Sequence, residues 1–209
     1  MYGFYSLVLR LLAPFVVIRL LVRGVRNRGY WRRIPERFGY IPPVGAPPVI
    51  WVHAVSVGEV RAAAPLVKVL RTRYPQHRVL ITTTTPTGAA TVLALFDGDV
   101  DHRYAPYDLP SAVTRFLERV RPAIAIVMET ELWPNIFRLC KTRAIPVCVV
   151  NLRMSAASMQ RYRRFARLAR ATLANATVLA AQSMADAERL RAPGATASAV
   201  HVTGRVKFE

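Results

Sequence analysis

Acidic side chains follow two apolar segments of this sequence, where buried strands are expected to end. Glu59 comes shortly after the run from Val49 to Val55, and Glu129 and Glu131 follow a second run that ends at Met128. A carboxylate at a strand end can accept a substrate proton if burial brings its pKa up towards neutrality. The pattern makes Glu59 a candidate general base, and Glu129 and Glu131 candidates to bind sugar hydroxyls or to act as acid and base.

A purely structural role is the alternative for each of these carboxylates. Ser56 and Glu59 have the spacing of a capping box, in which both side chains satisfy N–H groups at a helix start. The helix N-terminus also favours the ionised carboxylate and so lowers its basicity. Glu129 and Glu131 can likewise be plain helix N-terminal charges. Both interpretations stay open from the pattern alone.

A threonine-rich turn follows the next predicted strand. Thr85 suits the N-cap position of a helix, and Pro86 suits its first turn. Hydroxyls and free N–H groups at a helix start can cradle a phosphate or a sugar. The candidate substrate-binding residues at the two turns are Ser56, Gly58, Thr85, Thr87 and Gly88.

Two weaker patterns point to other chemistry. Ala54 to Gly58 approximates a nucleophile elbow, with Asp186 and His201 following in the order of a hydrolase triad. Hydrolases of that fold need several strands before the elbow. The Asp97–Asp99 segment resembles a metal-binding DxD, but an Asp-Gly turn between a helix and a strand is ordinary. No zinc, dinucleotide or P-loop motif occurs, so we expect neither a metal nor a cofactor.

Basic residues dominate the charge of the chain. The 209 residues carry 30 Lys and Arg against 12 Asp and Glu, a formal net charge of +18. One segment holds six arginines and no acid: Arg153, Arg161, Arg163, Arg164, Arg167 and Arg170. Arginine binds phosphate in a bidentate fashion, so we take Arg163, Arg164 and Arg167 as candidate ligands for phosphates or anionic lipid. Charge alone does not exclude a nucleic acid, but no nucleic-acid motif accompanies it.

Residues 1–40 predict a membrane anchor with a basic flank. The apolar segment from Phe4 to Val22 is interrupted by Arg10, Pro14 and Arg19, and eight arginines lie within the first 37 residues. These features indicate a monotopic or marginally spanning helix whose basic flank faces the cytoplasmic leaflet. A buried amphipathic helix is the alternative.

Residues 45–209 predict the scaffold that positions the turns. Short apolar strands alternate with helical segments, which is typical of a parallel sheet covered on both faces. The fold class is therefore α/β, a doubly wound Rossmann-like domain. Ligands of such folds bind beyond the carboxyl ends of the strands, where the acidic and threonine-rich turns lie.

Several long segments, in this order, resemble the N-terminal half of the bacterial Kdo (3-deoxy-D-manno-octulosonic acid) transferases. The segments are Trp51–Glu59, Thr82–Gly88, Tyr107–Pro110, Met128–Asn135, Asn151–Ser155 and Val202–Phe208, with Arg37–Gly39 before them. The resemblance implies the N-terminal domain of a GT-B glycosyltransferase at the cytoplasmic face of the inner membrane.

The resemblance also implies a reaction and its participants. Such enzymes transfer Kdo from CMP-Kdo to the lipid A precursor, with inversion and without a required metal. Glu59 matches the family's catalytic base and Glu131 a second essential acid, with Glu129 close by. The family normally continues past Glu209 into a second domain that binds the nucleotide, so we expect this chain to be inactive alone. A non-catalytic module that binds anionic lipid or glycolipid is the alternative.

Overall fold

A parallel sheet forms the centre of the protein in a computed structural model, which describes residues 1–154, 165–192 and 195–204. The sheet has seven strands in the order β3-β2-β1-β4-β5-β6-β7. The strands are β1 (Val49–His53), β2 (Arg78–Thr83), β3 (Asp101–Tyr104), β4 (Pro122–Met128), β5 (Val147–Leu152), β6 (Val178–Ala181) and β7 (Val200–Val202). Every neighbouring pair is parallel.

Helices cover both faces of the sheet, as parallel strands require. The described α-helices are α1 (Tyr2–Arg26), α2 (Val57–Arg73), α3 (Pro86–Phe96), α4 (Pro110–Val120), α5 (Pro134–Thr142), α6 (Ala166–Leu173) and α7 (Met184–Arg191), of which α1 precedes the sheet. Apolar residues of α2 and α3 pack on one face, with Val60, Val67 and Val92 fully or almost fully buried. Residues of α4 and α5 pack on the other face, where Phe116 and Phe137 are completely buried.

Local sequence explains where these helices begin. Ser56, Thr85 and Ser183 are N-caps whose side chains accept a backbone N–H three residues ahead. Proline occupies the first turn of α3, α4 and α5, where its missing N–H costs nothing. The helices that follow β1, β2 and β6 therefore start within a few residues of the strand end, and polar caps cluster at the carboxyl edge of the sheet.

The first helix docks on the carboxyl edge of the sheet through polar contacts near its start. Tyr5 donates a hydrogen bond of 3.0 Å to Asp108, and Ser6 donates one of 3.1 Å to Asn135. Farther along, the Trp31 indole packs on Gly24 and donates to the Leu21 carbonyl at 2.9 Å. The chain thus folds back on the end of α1 before it enters the domain.

A connecting segment between α1 and β1 packs on α4. Gly39 adopts φ 80° and lies so close to α4 that an added Cβ would sit 2.2 Å from the Ala112 carbonyl oxygen. Arg115 donates two hydrogen bonds to the Phe38 carbonyl, at 3.0 and 2.9 Å. The Tyr107 N–H donates to the Arg37 carbonyl at 2.7 Å. This segment holds the loop before α4 in place.

The doubly wound fold and the apolar helix before it, both predicted from sequence, are confirmed. The arginine-rich segment of the sequence is described only in part. Its described part includes α6, and residues 155–164, including Arg163 and Arg164, lie outside the described residues.

Candidate active site

The acidic and threonine-rich turns meet at one point of the carboxyl edge. β1 lies between β2 and β4, so the turn that bears Glu59 has the threonine turn on one side and the Glu129–Glu131 turn on the other. The chain order reverses between β1 and β4, which makes this point the topological switch, where open α/β sheets form a ligand crevice. Thr84 joins two of the turns, since its N–H and its hydroxyl both donate to the Val55 carbonyl, at 3.3 and 2.9 Å.

Glu59 forms the capping interaction predicted for it and is almost completely buried, with 5% of its surface exposed. One carboxylate oxygen accepts from the Ser56 hydroxyl at 3.0 Å, and the other accepts from the Val55 N–H at 2.9 Å. Ser56 in turn accepts from the Glu59 N–H at 3.4 Å. The carboxylate is therefore fixed in orientation at the start of α2.

Burial raises the pKa of Glu59 to about 7. The negative charges of Glu131 and Glu129 raise the pKa further, whereas the hydrogen bonds from Val55 and Ser56 lower it. Desolvation is the largest of these effects, so it outweighs the hydrogen bonds at the helix start. A carboxyl group with a pKa near 7 is suited to exchange protons at neutral pH.

Glu131 is half-buried and lies beside Trp133. The Trp133 indole N–H donates to the Glu131 carboxylate at 2.8 Å. Burial raises the pKa of Glu131, and the charge of Glu129 adds to the increase. The charge of Glu131 raises the pKa of Glu59 more than the charge of Glu129 does.

Hydrogen bonds and close packing hold the threonine turn in place. Thr85 accepts the Gly88 N–H at 3.1 Å, and the Thr87 hydroxyl donates to Thr85 at 3.2 Å. A Cβ on Gly88 would approach Thr83 to 3.1 Å, so this glycine allows close packing of α3 on β2. Gly58 has no such crowding, since the nearest atom to an added Cβ is the Ser56 hydroxyl at 3.9 Å. The basic flank of α1 reaches the same turn, where Gly29 packs on Pro86.

Sequence reasoning missed a buried polar network under the site. Thr82 links two aromatic rings of β1: its hydroxyl oxygen accepts from the Trp51 indole N–H at 2.8 Å and lies 2.9 Å from Nδ1 of His53. The His53 ring stands edge-on to Trp133, with 5.4 Å between the ring centroids. Burial lowers the pKa of His53 to about 4, so it is neutral at pH 7. The available signal was the alternation of side chains between the two faces of each strand. His53 and Thr82 occupy matching positions on the neighbouring parallel strands β1 and β2, so their side chains lie on the same face of the sheet.

Asp108 is a second buried acid that was not assigned a role, although it belongs to one of the resembling segments. Its carboxylate accepts the N–H groups of Asn135 and Ile136, at 3.0 and 2.8 Å, and the Tyr5 hydroxyl. Burial raises the pKa of Asp108 to about 6 against these hydrogen bonds. Asp108 therefore caps α5 and ties α1 to the edge that bears the site.

The hydrolase-triad interpretation fails on geometry. Ser56 and His201 are separated by the three strands that lie between β1 and β7, while Asp186 accepts the Met154 N–H at 2.8 Å. The hydrolase triad is therefore wrong. The Asp97–Asp99 turn leads into the opposite, amino edge of the sheet, where Asp99 pairs with Arg71 at 2.7 Å. Within the described ranges, no group of three or more His, Cys, Asp or Glu side chains could hold a metal.

Arg167 is exposed on α6. Its helix approaches the site through Leu168 and Ala169, which line a cleft with Leu132 of the β4–α5 turn. The helix that carries Arg167 therefore flanks the site.

The fold and the polar crevice define one Rossmann-like half of a GT-B-type protein. A crystal structure of UDP-GlcNAc 2-epimerase from Neisseria meningitidis superposes with a TM-score of 0.58 at 18% identity, over 77% of this chain and 47% of that one. The UDP-bound MnaA of S. aureus gives a TM-score of 0.57 at 16% identity, over 77% of this chain and 46% of that one. At such identity the likeness shows the fold alone.

Sequence comparison identifies the family. The family model for 3-deoxy-D-manno-octulosonic-acid transferase (kdotransferase) matches residues 32–209. The 3-deoxy-D-manno-octulosonic acid transferase of Haemophilus influenzae is 36% identical over 99% of this chain and 49% of its own length. That of Bordetella pertussis is 38% identical over 99% of this chain and 50% of its own length. The chain belongs to the Kdo transferase family of glycosyltransferases, and it spans about half the length of these relatives.

Proposed function

We propose that this chain supplies the acceptor side and the catalytic base of an enzyme that transfers Kdo from CMP-Kdo to the lipid A precursor. The observation that carries the proposal is Glu59, a buried carboxyl group with a pKa of about 7 at the switch point of the sheet. The relatives of this chain in Haemophilus influenzae and Bordetella pertussis are 3-deoxy-D-manno-octulosonic acid transferases. Family membership and a suitably placed base thus point to the same chemistry.

In the proposed reaction Glu59 takes the proton of the acceptor hydroxyl. The hydroxyl oxygen forms a bond to the anomeric carbon of Kdo, and the bond from that carbon to the CMP phosphate breaks. CMP leaves with the electron pair, and attack from the opposite face inverts the anomeric configuration. CMP is a good leaving group at its phosphate, so the proposal needs no metal and no cofactor. Glu131, oriented by Trp133 at 2.8 Å, is the second acid.

The remaining predicted residues have binding roles in this proposal. Ser56 orients Glu59 through its 3.0 Å hydrogen bond, and Gly58 leaves the first turn of α2 open above it. Thr85 and Thr87 place hydroxyl groups on the turn beside the base, Gly88 lets that turn pack closely, and Glu129 binds sugar hydroxyls. Arg163, Arg164 and Arg167 bind the phosphates of the acceptor.

We further propose attachment to the cytoplasmic face of the inner membrane, with anionic lipid as a partner and nucleic acid excluded. In the described part of the chain, α1 is a 25-residue helix that is long and apolar enough to cross a membrane, by length and composition only. Eleven per cent of its most apolar 18-residue window is buried in the protein. An exposed apolar helix next to a basic flank suits the surface of an anionic membrane.

The test is transfer of Kdo from CMP-Kdo to tetraacylated lipid A precursor, detected by mass spectrometry of the lipid. The chain is assayed alone and joined to the C-terminal half of a family member, each with and without Glu59→Gln. Product only from the joined form that keeps Glu59 supports the proposal. If the joined form folds and binds the lipid but yields no product, a glycolipid-binding module becomes the better description.

A further inference from the structure

An apolar cleft separates α1 from the acidic turn of the site. Tyr5, Leu9, Ala13 and Val16 of α1 form one wall, and Leu132 and Trp133 belong to the other. The cleft has a volume of about 300 Å³, and Glu131 lies in its lining. A second cleft of about 260 Å³ continues on the far side of Tyr5 and Leu132, towards Leu168 of α6. Together they form an apolar path that leads to the carboxylates.

Two polar groups in this cleft are already hydrogen-bonded within the protein. The Tyr5 hydroxyl donates to Asp108 at 3.0 Å, and the Trp133 indole N–H donates to Glu131 at 2.8 Å. An occupant therefore meets mainly hydrocarbon along the walls and a carboxylate at one end. This lining favours an alkyl chain attached to a polar head over a wholly polar ligand.

The helix that forms the wall has two different apolar faces. Its cleft residues recur every three or four positions, which places them on one face. Phe4, Leu11, Phe15 and Ile18 lie on the opposite face and are exposed, Phe15 by 68%. A face of that kind is suited to lipid, so the cleft lies one helix diameter away from the expected lipid surface.

We propose that the cleft between α1 and the β4–α5 turn holds an acyl chain of the lipid acceptor. The inference rests on the proposed function, because it takes the acceptor to be an acylated sugar whose hydroxyl reaches Glu59. With its chain beside Ala13 and Leu132, the sugar headgroup lies at Glu131 and the neighbouring base. The anchor helix thus forms one wall of the acceptor site in addition to attaching the protein to the membrane.

The first test is photocrosslinking with tetraacylated lipid A precursor that carries a diazirine at the end of an acyl chain. The full chain is reconstituted in lipid nanodiscs, and adducts are mapped by mass spectrometry. We expect adducts on Leu9, Ala13 and Leu132. Adducts confined to Leu11 and Phe15 would overturn the proposal, and so would equal labelling of the cleft by a phospholipid with the same diazirine.

Matched substitutions on the two faces of α1 sharpen the test. Ala13→Trp fills the cleft and should abolish the Leu132 adduct, whereas Leu11→Trp adds the same ring to the outer face and should leave it unchanged. Ala13→Leu, a smaller filling change, replaces Ala13→Trp if that variant does not fold, and should reduce the adduct. An undiminished Leu132 adduct in a folded cleft-filling variant overturns the proposal.

The readout is independent of turnover. Glu59→Gln should keep the cleft adducts while it abolishes transfer by the joined enzyme. Adducts without transfer in any form would refute the proposed function and leave the acyl site intact. Transfer without cleft adducts would refute the acyl site alone.

Discussion

At the scale of single residues, the capping role of Glu59 is compatible with the base role proposed for it, although the sequence presented the two as alternatives. The capping box forms, with the Ser56 hydroxyl 3.0 Å from the carboxylate, and the same carboxyl group is buried enough to have a pKa of about 7. The spacing of Ser56 and Glu59 predicts the cap because capping is local. Burial depends on β2 and β4 on either side of β1, which the local pattern does not contain.

The pH dependence of transfer should report the ionisation of Glu59. Below its pKa the carboxyl group is protonated and cannot accept the acceptor proton, so kcat/KM of the joined enzyme should rise as pH passes about 7. Glu59→Gln should abolish transfer at every pH. A wild-type profile that is flat from pH 5 to about 8 would contradict the role of Glu59 as base.

Two neighbours should move this midpoint in opposite directions. Glu131→Gln removes a negative charge that raises the pKa of Glu59, so the midpoint should fall. Ser56→Ala removes a hydroxyl that donates to the carboxylate, so the midpoint should rise. Titration of the Glu59 carboxyl group by ¹³C NMR in both variants provides the measurement, because Glu131→Gln is itself expected to impair transfer. Shifts of the two midpoints in the same direction would contradict this account of the Glu59 pKa.

The stability of the chain itself should depend on Glu59 with a definite sign. Its pKa is 4.5 when unperturbed and about 7 in the fold, so the folded state holds the proton more tightly. Protonated Glu59 is compatible with burial, and its ionisation destabilises the fold as pH rises from about 4.5 to about 7. Glu59→Gln should therefore lose less stability than wild type over this interval, measured by thermal unfolding in detergent. An equal or greater loss in the variant would refute the raised pKa.

At the scale of elements, strand and helix positions follow closely from the sequence. The apolar run Val79–Thr84 coincides with β2. The segment Pro86–Phe96, which follows a threonine cap and begins with proline, coincides with α3. The docking of α1 does not follow from such signals. It depends on isolated polar residues, Tyr5 and Ser6, whose partners lie 103 and 129 positions away. Hydrogen bonds between residues far apart in the chain produce no periodic pattern in the sequence.

The cap of α5 by Asp108 should matter more than its contact with α1. Asp108→Ala leaves the buried N–H groups of Asn135 and Ile136 without their acceptor, which costs about 1–3 kcal/mol for each such group. Tyr5→Phe removes one hydrogen bond to the same carboxylate and should cost about 0.5–1.5 kcal/mol. The free energies of unfolding in detergent provide the comparison. Equal costs would mean that the cap contributes little.

Gly39 should tolerate substitution less well than another glycine with the same backbone conformation. Both Gly39 and Gly98 have positive φ, 80° and 85°. Gly39→Ala places Cβ 2.2 Å from the Ala112 carbonyl oxygen, whereas Gly98→Ala meets nothing within 4 Å. Gly98→Ala should cost about 1–2 kcal/mol from backbone strain. Gly39→Ala should lower the free energy of unfolding, measured by urea denaturation, clearly more than Gly98→Ala does. A smaller loss than that of Gly98→Ala would show that α4 can move away from the added methyl group.

At the scale of the whole molecule, an apolar helix and a strong positive charge occur together. The net charge of +18 and the exposed face of α1 should contribute to membrane binding in different ways. The electrostatic part should weaken as salt shortens the screening length from about 8 Å at 0.15 M to about 3 Å at 1 M. The apolar part should persist, because burial of hydrocarbon does not depend on screening.

Binding to vesicles should therefore be partly sensitive to salt, and the salt-sensitive part should come from particular arginines and not from the total charge. Arg163→Gln/Arg164→Gln/Arg167→Gln should weaken binding to phosphatidylglycerol vesicles by about 1 kcal/mol for each residue near the surface. The triple replacement of Arg71, Arg73 and Arg78 by Gln changes the net charge equally at the amino edge of the sheet, and should have a smaller effect. Co-sedimentation at low and high salt, with phosphatidylcholine vesicles as the neutral control, provides the measurement. Equal losses for the two triple variants would mean that total charge, and not the particular contribution of Arg163, Arg164 and Arg167, determines the electrostatic part of vesicle binding.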